Sequence, residues 1–152
     1  NGDLFSWVQL VEPMRHLFPG LESPESMEGY ARDIAEAISR QEALCAVENG
    51  TICGALAFSR AENELAFLAV SAQHRRQGIA RKLAERMFRE LDPTRPVKLI
   101  TYREGVPEGE AARSLYQRLG FCPGRLVEVD GSPAQEFLRP AEISDSERSE
   151  AE

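Results

Sequence analysis

The chain divides by the spacing of its apolar residues. Leu4, Trp7, Val8, Val11 and Met14 recur near the period of one helix face, with Asp3 placed to cap the helix and Pro13 to bend or interrupt it. FPGLESPES reads as a loop. Within it, Ser23-Pro24 is a cap followed by a first helical residue. Met27, Tyr30, Ala31, Ile34 and Ile38 repeat the helical period and predict a second helix to about Gln41.

From Ala43 the pattern shortens to period two and compact apolar runs. ALCAVE and TICGALAFS flank Asn49-Gly50, the strongest short hairpin signal, and Arg60 to Asn63 turn the chain into ELAFLAV. These three segments predict an antiparallel meander. Gly78 to Leu91 reads as an amphipathic helix: Ile79, Leu83, Met87 and Leu91 form one stripe, while Arg81, Lys82, Glu85, Arg86 and Arg89 face water. Asp92-Pro93 ends it, and PVKLITY follows as a fourth strand. Pro107 precedes another helix, with Ala112, Leu115, Tyr116 and Leu119 on one face. Gly120 suits its left-handed cap, and Phe121 is placed to pack back. GRLVEV and SPAQEFL straddle Asp130-Gly131 as a last hairpin. The sum is one α/β (α+β) domain over residues 1–140, a mixed, mostly antiparallel sheet flanked by helices, with a helix-first start. Residues 141–152, AEISDSERSEAE, read as an acidic flexible tail.

Charge and cysteine usage narrow the function classes. The formal net charge is -7 and the pI about 5.0, which argues against a nucleic-acid partner, because phosphate backbones want a basic face. Five acids against Arg148 put -4 of that charge in the tail, leaving -3 for the folded part. No apolar run approaches the ~20 residues that span a bilayer, and no basic stretch before an apolar core marks a signal peptide. No membrane association is expected. Cys45, Cys53 and Cys122 sit in apolar contexts without close spacing, which predicts reduced, packed thiols and a cytoplasmic setting. Neither the cysteines nor His16 and His74 show metal-ligand spacing, so no metal is expected. The oligomeric state is not readable, a homodimer included.

The stretch RRQGIA, Arg75 to Ala80, carries the first chemical signal. An apolar strand leads to it and a long helix follows. The first amides of that helix lack internal acceptors, and its dipole adds positive charge at the same spot. Gly78 has no Cβ to hold a ligand away from the backbone, Ala80 keeps the next turn small, and Arg75 and Arg76 add charge-assisted bonds. The expected anion is a pyrophosphate or similar group. Alone, the motif is short enough to recur by chance on a capped surface helix.

Together with ARSLYQRLGF downstream, the segment FLAV-SAQH-RRQGIA resembles the two signature segments of the GNAT superfamily of acyl-CoA-dependent N-acetyltransferases, over about residues 43 to 139. TYREG and GFCPGRLVEVDGSPAQEF are similar to an uncharacterised bacterial branch of it. The resemblance implies acetyl-CoA as co-substrate, with Arg75, Arg76, Gln77, Gly78, Ile79 and Ala80 around its pyrophosphate. It implies that Leu68, Ala69 and Val70 pair with the pantetheine arm as an added strand. It further implies that the strands ELAFLAV and PVKLITY splay apart, with the acetyl group in the wedge. The acceptor would be a small-molecule or peptide amine that attacks the thioester directly, so no enzyme nucleophile is required.

By the same resemblance Tyr116 protonates the departing thiolate and Glu64 takes the amine proton through water. From position alone Tyr116 is equally a core tyrosine and Glu64 a turn carboxylate. Strict alternation would put Glu64, Ala66, Leu68 and Val70 on one face, with Glu64 about 13 Å along the strand from Leu68. Arg103 and Glu104 are candidates for acceptor charges, or a solvated turn. His74 and His16 read as surface or packing residues. Two features depart from the family pattern: no strand precedes the first helix, and Gly109 stands where an Asn is usual. The rival readings are an inactive CoA-binding or regulatory module and a phosphate-binding structural domain.

Overall fold

The computed structural model describes residues 2–18, 21, 23–74, 78–129 and 131–142. Arg75, Arg76, Gln77 and the tail from residue 143 lie outside the described residues, as does the His16 side chain. The chain begins with helix α1 (Gly2–Val11), so Asp3 falls inside the first turn and not at the cap. Pro13 cannot donate to a continuing α-helix, and the chain tightens into a 3-10 helix over Glu12–Leu17. Helix α2 (Pro24–Ser39) starts as its sequence predicts: the Ser23 hydroxyl accepts the Ser26 amide at 3.1 Å, and Pro24 opens the first turn. Gln41, at φ +58°, turns the chain out of it.

Strands β1 (Ala43–Glu48), β2 (Thr51–Ser59) and β3 (Glu64–Val70) form the expected antiparallel meander. Asn49 and Gly50, at φ +52° and +77°, make the primed turn that suits the strand twist. Helix α3 (Ile79–Glu90), strand β4 (Val97–Thr101), a 3-10 turn (Pro107–Gly109) and helix α4 (Glu110–Arg118) follow. Gly120, at φ +98°, closes α4: its amide donates to Gln117 and that of Phe121 to Tyr116, the paired bonds of a Schellman cap. Strands β5 (Cys122–Val129) and β6 (Ser132–Arg139) are the last hairpin. Glu142, two residues into the expected tail, is still tied down: its amide donates to Pro93 and its carboxylate meets Arg139 at 2.9 Å.

The six strands make one sheet in the order β1-β2-β3-β4-β6-β5. All neighbours are antiparallel except β3 and β4, which are parallel. The hairpin turns back so that β6, not β5, meets β4. Two cores follow from the two faces. Leu56, Phe58, Leu65, Leu68, Leu99 and Phe137 pack under α3 and α4, with Leu83 and Met87 from α3. Ala55, Ala57 and Phe67 lie under Trp7 and Val11 of α1 and Met27 and Ile34 of α2. Strand β2 thus presents large residues to one layer and small ones to the other, which lets α1 and α2 approach closely. On the α1/α2 side no described helix covers β4, β6 and β5, and Ile100 and Leu138 are exposed there.

Candidate active site

The centre of the sheet is open. The register between β3 and β4 holds a single pair, Glu64 with Lys98, beside the bond from the Lys98 amide to the Asn63 carbonyl at 3.1 Å. From Leu65 onward the β3–β4 ladder stops. Meanwhile β3 keeps pairing with β2 as far as Val70 opposite Gly54, and β4 with β6 as far as Thr101 opposite Gln135. The two strands therefore diverge from a pinned end at Glu64. The pin is Asn63, fully buried and left-handed at φ +52°. Its Nδ2 lies 3.1–3.3 Å from the carbonyls of Asp92, Arg95 and Pro96, and its Oδ1 accepts the Asp92 amide at 2.9 Å. A lone Asn in a turn gives no sign in the sequence that it is an anchor.

One wall of the gap carries a bulge. Ala57 opposes Phe67 and Phe58 opposes Leu65, so exposed Ala66 has no partner on β2. The extra residue shifts the side-chain phase. Leu65 and Leu68 both enter the α3/α4 core, while Phe67 enters the α1/α2 core against the rings of Phe18 and Tyr30. Strict alternation is thereby broken: Glu64 does not share a face with Leu68 but lies on the side of Phe67, where the sheet is uncovered from β4 outward. Burial pushes the Glu64 carboxyl above the ordinary carboxylate range. Lys98 opposes that rise, and Glu62 and Glu136 add to it.

Tyr116 stands on the other side. Its ring packs into the α3/α4 core, edge-on to Phe121 and Phe137 at 6.1 and 6.4 Å. Among the described residues its hydroxyl has no hydrogen-bond partner. Burial pushes its pKa up to about 12, so it is a neutral phenol throughout the neutral range.

Leu68 and Ala69 are buried and Val70 half-buried at the diverging end of β3. Gly78 caps α3 at φ +76°, a conformation that favours glycine, and a Cβ there would meet nothing within 4 Å. Among the described residues, nothing fills the space beside Gly78. Ile79 and Ala80 pack down onto the core, and Ile79 meets β2 where a Cβ at Gly54 would lie 2.8 Å away. Leu68, Ile79, Ala80 and Tyr116 thus share one layer, and Glu64 lies across the sheet at the pinned end.

Several other candidates resolve differently. Arg103 donates to the carbonyls of Ala134 and Val127, both at 3.0 Å, and so holds the β5–β6 hairpin; Glu104 is exposed. Arg113, given no role by the sequence although it lies in ARSLYQRLGF, is buried across Phe137 and donates to the Tyr102 carbonyl at 2.8 Å and to Gln135 Oε1 at 2.7 Å. Gly109 has a steric reason: a Cβ there would lie 2.3 Å from that of Tyr102, so no asparagine fits while Tyr102 holds its place. The cysteines form no disulfide, but only Cys53 is packed; Cys45 and Cys122 are exposed. His74 is engaged, by Ser71 and Glu48.

Residues 39–123, more than half of the chain, match the family model described as an acetyltransferase (GNAT) domain. The chain belongs to the GNAT acetyltransferase family. Acyl transfer is the chemistry of GNAT proteins, and acetyl-CoA their donor. The fold agrees with solved members. An N-acetyltransferase from Staphylococcus aureus Mu50 is 15% identical with a TM-score of 0.69, the match covering 90% of this chain and 95% of that one. The ribosomal-protein-S18-alanine N-acetyltransferase from Escherichia coli is 22% identical at 0.66, over 95% and 91%. The NatC complex bound to Gag peptide and CoA is 21% identical at 0.62, over 90% and 89%. No curated protein sequence matches the chain. No described helix is long and apolar enough to cross a membrane.

Proposed function

We propose that this GNAT protein is a cytoplasmic N-acetyltransferase that moves an acetyl group from acetyl-CoA to an amine by direct attack within a ternary complex. The observation that carries the reading is the single-pair junction of β3 and β4, because a parallel pair that stops after one rung leaves backbone of β3 for a ligand to line. Leu68 to Val70 would meet the pantetheine arm. The α3 N-terminus, from Gly78 through Ile79 and Ala80, would hold the pyrophosphate together with Arg75, Arg76 and Gln77. The amine nitrogen bonds to the thioester carbon, the tetrahedral oxyanion collapses, and the thiolate leaves. A CoA thiolate resembles that of cysteine, with a pKa of about 8.5. Tyr116 is the group suited to protonate it: a neutral phenol, without a hydrogen-bond partner among the described residues, packed against Phe121 and Phe137. Glu64, with its raised carboxyl, suits uptake of the amine proton through water from the uncovered face. The acceptor is a small molecule or a peptide.

Thiol release from acetyl-CoA, measured over a panel of peptide and small-molecule amines, tests this. Release that depends on the amine supports it. CoA that raises the melting temperature without release under any amine selects the inactive CoA-binding module. No shift with CoA at all selects the phosphate-binding structural domain.

A further inference from the structure

Outside the β3–β4 gap, three potential metal ligands converge. Glu48 ends β1, Cys53 lies in β2, and His74 lies in the 3-10 turn after β3. One ligand atom from each lies within 4.8 Å of the others. Their separations along the sequence carry no metal motif; the meander brings them together, because the Asn49-Gly50 turn sets Glu48 beside β2 and the Ser71 amide donates to the Cys53 carbonyl at 2.8 Å.

We propose that Glu48, Cys53 and His74 bind a zinc-type divalent ion, with the fourth tetrahedral position left to water. Geometry supports the assignment. Nitrogen and oxygen ligands ~2.0–2.1 Å from a tetrahedral zinc stand about 3.3 Å apart, and His74 Nε2 is 3.3 Å from Glu48 Oε2. The sulfur needs roughly 3.6 Å to each of them, so from within 4.8 Å it closes in by at most about 1.2 Å, giving up its 3.4 Å contact to the Ala46 carbonyl. The histidine is already oriented for the task. Its Nδ1 is 2.5 Å from Ser71 Oγ, which leaves Nε2 to face Glu48 and the ion when Nδ1 carries the proton. This is the outer hydrogen bond that metal-bound histidines usually make. The mixed sulfur, nitrogen and oxygen set favours zinc over calcium or magnesium, which want oxygen alone. Binding would release the Cys53 thiol proton to solvent and tie the exit of β3 to β1 and β2.

The test is titration of the full chain with Co²⁺ alone, followed by competition with Zn²⁺. The expected result is one equivalent bound, with the visible bands of tetrahedral cobalt and a near-ultraviolet thiolate-to-cobalt charge-transfer band that Zn²⁺ removes. Cys53→Ser should lose the charge-transfer band. Cys45→Ser and Cys122→Ser should keep it. His74→Gln should weaken binding at least tenfold, and Ser71→Ala by roughly 10- to 100-fold. Circular dichroism checks that each variant folds, and His74→Gln carries the test should Cys53→Ser not fold. Cobalt bound without the thiolate band, a band that survives in Cys53→Ser, or affinity unchanged in His74→Gln would overturn the site.

Discussion

The two ends of β3 are built oppositely. At the start, Asn63 gathers three carbonyls and an amide from the α3–β4 connection, and the one rung of the parallel ladder lies beside it. Toward Val70 no described β4 residue continues that ladder, while β2 pairs with the strand along its other edge. The difference shows how a sheet can hold a gap in its middle without falling apart. The closed end is over-determined by buried polar bonds, each costly to leave unmade, so the open end can present backbone to a ligand. The bulge at Ala66 lies between the two and puts Glu64 and Leu68 on opposite faces.

The comparison breaks most directly at the pin. Asn63→Ala removes the side-chain bonds, orphans buried groups and leaves alanine at positive φ; a loss of about 3–4 kcal/mol is expected, measured by urea unfolding. Should the variant stay within ~1 kcal/mol of wild type, the closed end is not held by Asn63 and the contrast fails.

At the open end, acetyl-CoA at ~100 times its dissociation constant should stabilise the protein by about 2.7 kcal/mol, a rise of several degrees in Tm. Gly78→Asp should abolish that rise, since it puts a side chain and a negative charge into the open space over α3. A wild-type shift in the variant would locate the anion site elsewhere.

Tyr116→Phe sharpens the chemistry. Turnover should fall by about 10²-fold while CoA affinity holds. Stability should change little, because burial desolvates the hydroxyl and no described residue bonds to it. A fall in stability with turnover intact would make Tyr116 a core residue only.

The smallest effect belongs to Glu64→Gln. Wild-type turnover should fall as pH drops through the raised carboxyl pKa, because a base works only when ionised. The variant should lose roughly tenfold near neutrality and regain much of it at higher pH, where solvent deprotonates an amine of reference pKa about 10.4. The sign on stability is opposite. A carboxyl whose folded pKa lies above its unfolded one favours folding below the unfolded pKa and loses that contribution as pH rises through the folded pKa. Glu64→Gln should therefore be no less stable than wild type at neutral pH. Coincident pH–rate profiles would leave Glu64 as a turn carboxylate.

The sequence alone determined the elements and several of their ends, because those depend on neighbours along the chain. Helical and strand periods, the Ser23 cap, the Asn49-Gly50 turn and the Gly120 cap act within a few residues, and so does the Gly78 break that opens α3. The family follows from the same local signals, since both signature segments are contiguous. What crosses the sheet was decided only by tertiary structure. One bulged residue reverses the phase of a strand, and no alternation rule sees it. Asn63 becomes an anchor, and Gly109 a necessity under Tyr102, through groups some thirty and seven residues away respectively. Glu48, Cys53 and His74 meet because hydrogen-bonded register, not spacing, sets which side chains share a corner of the fold.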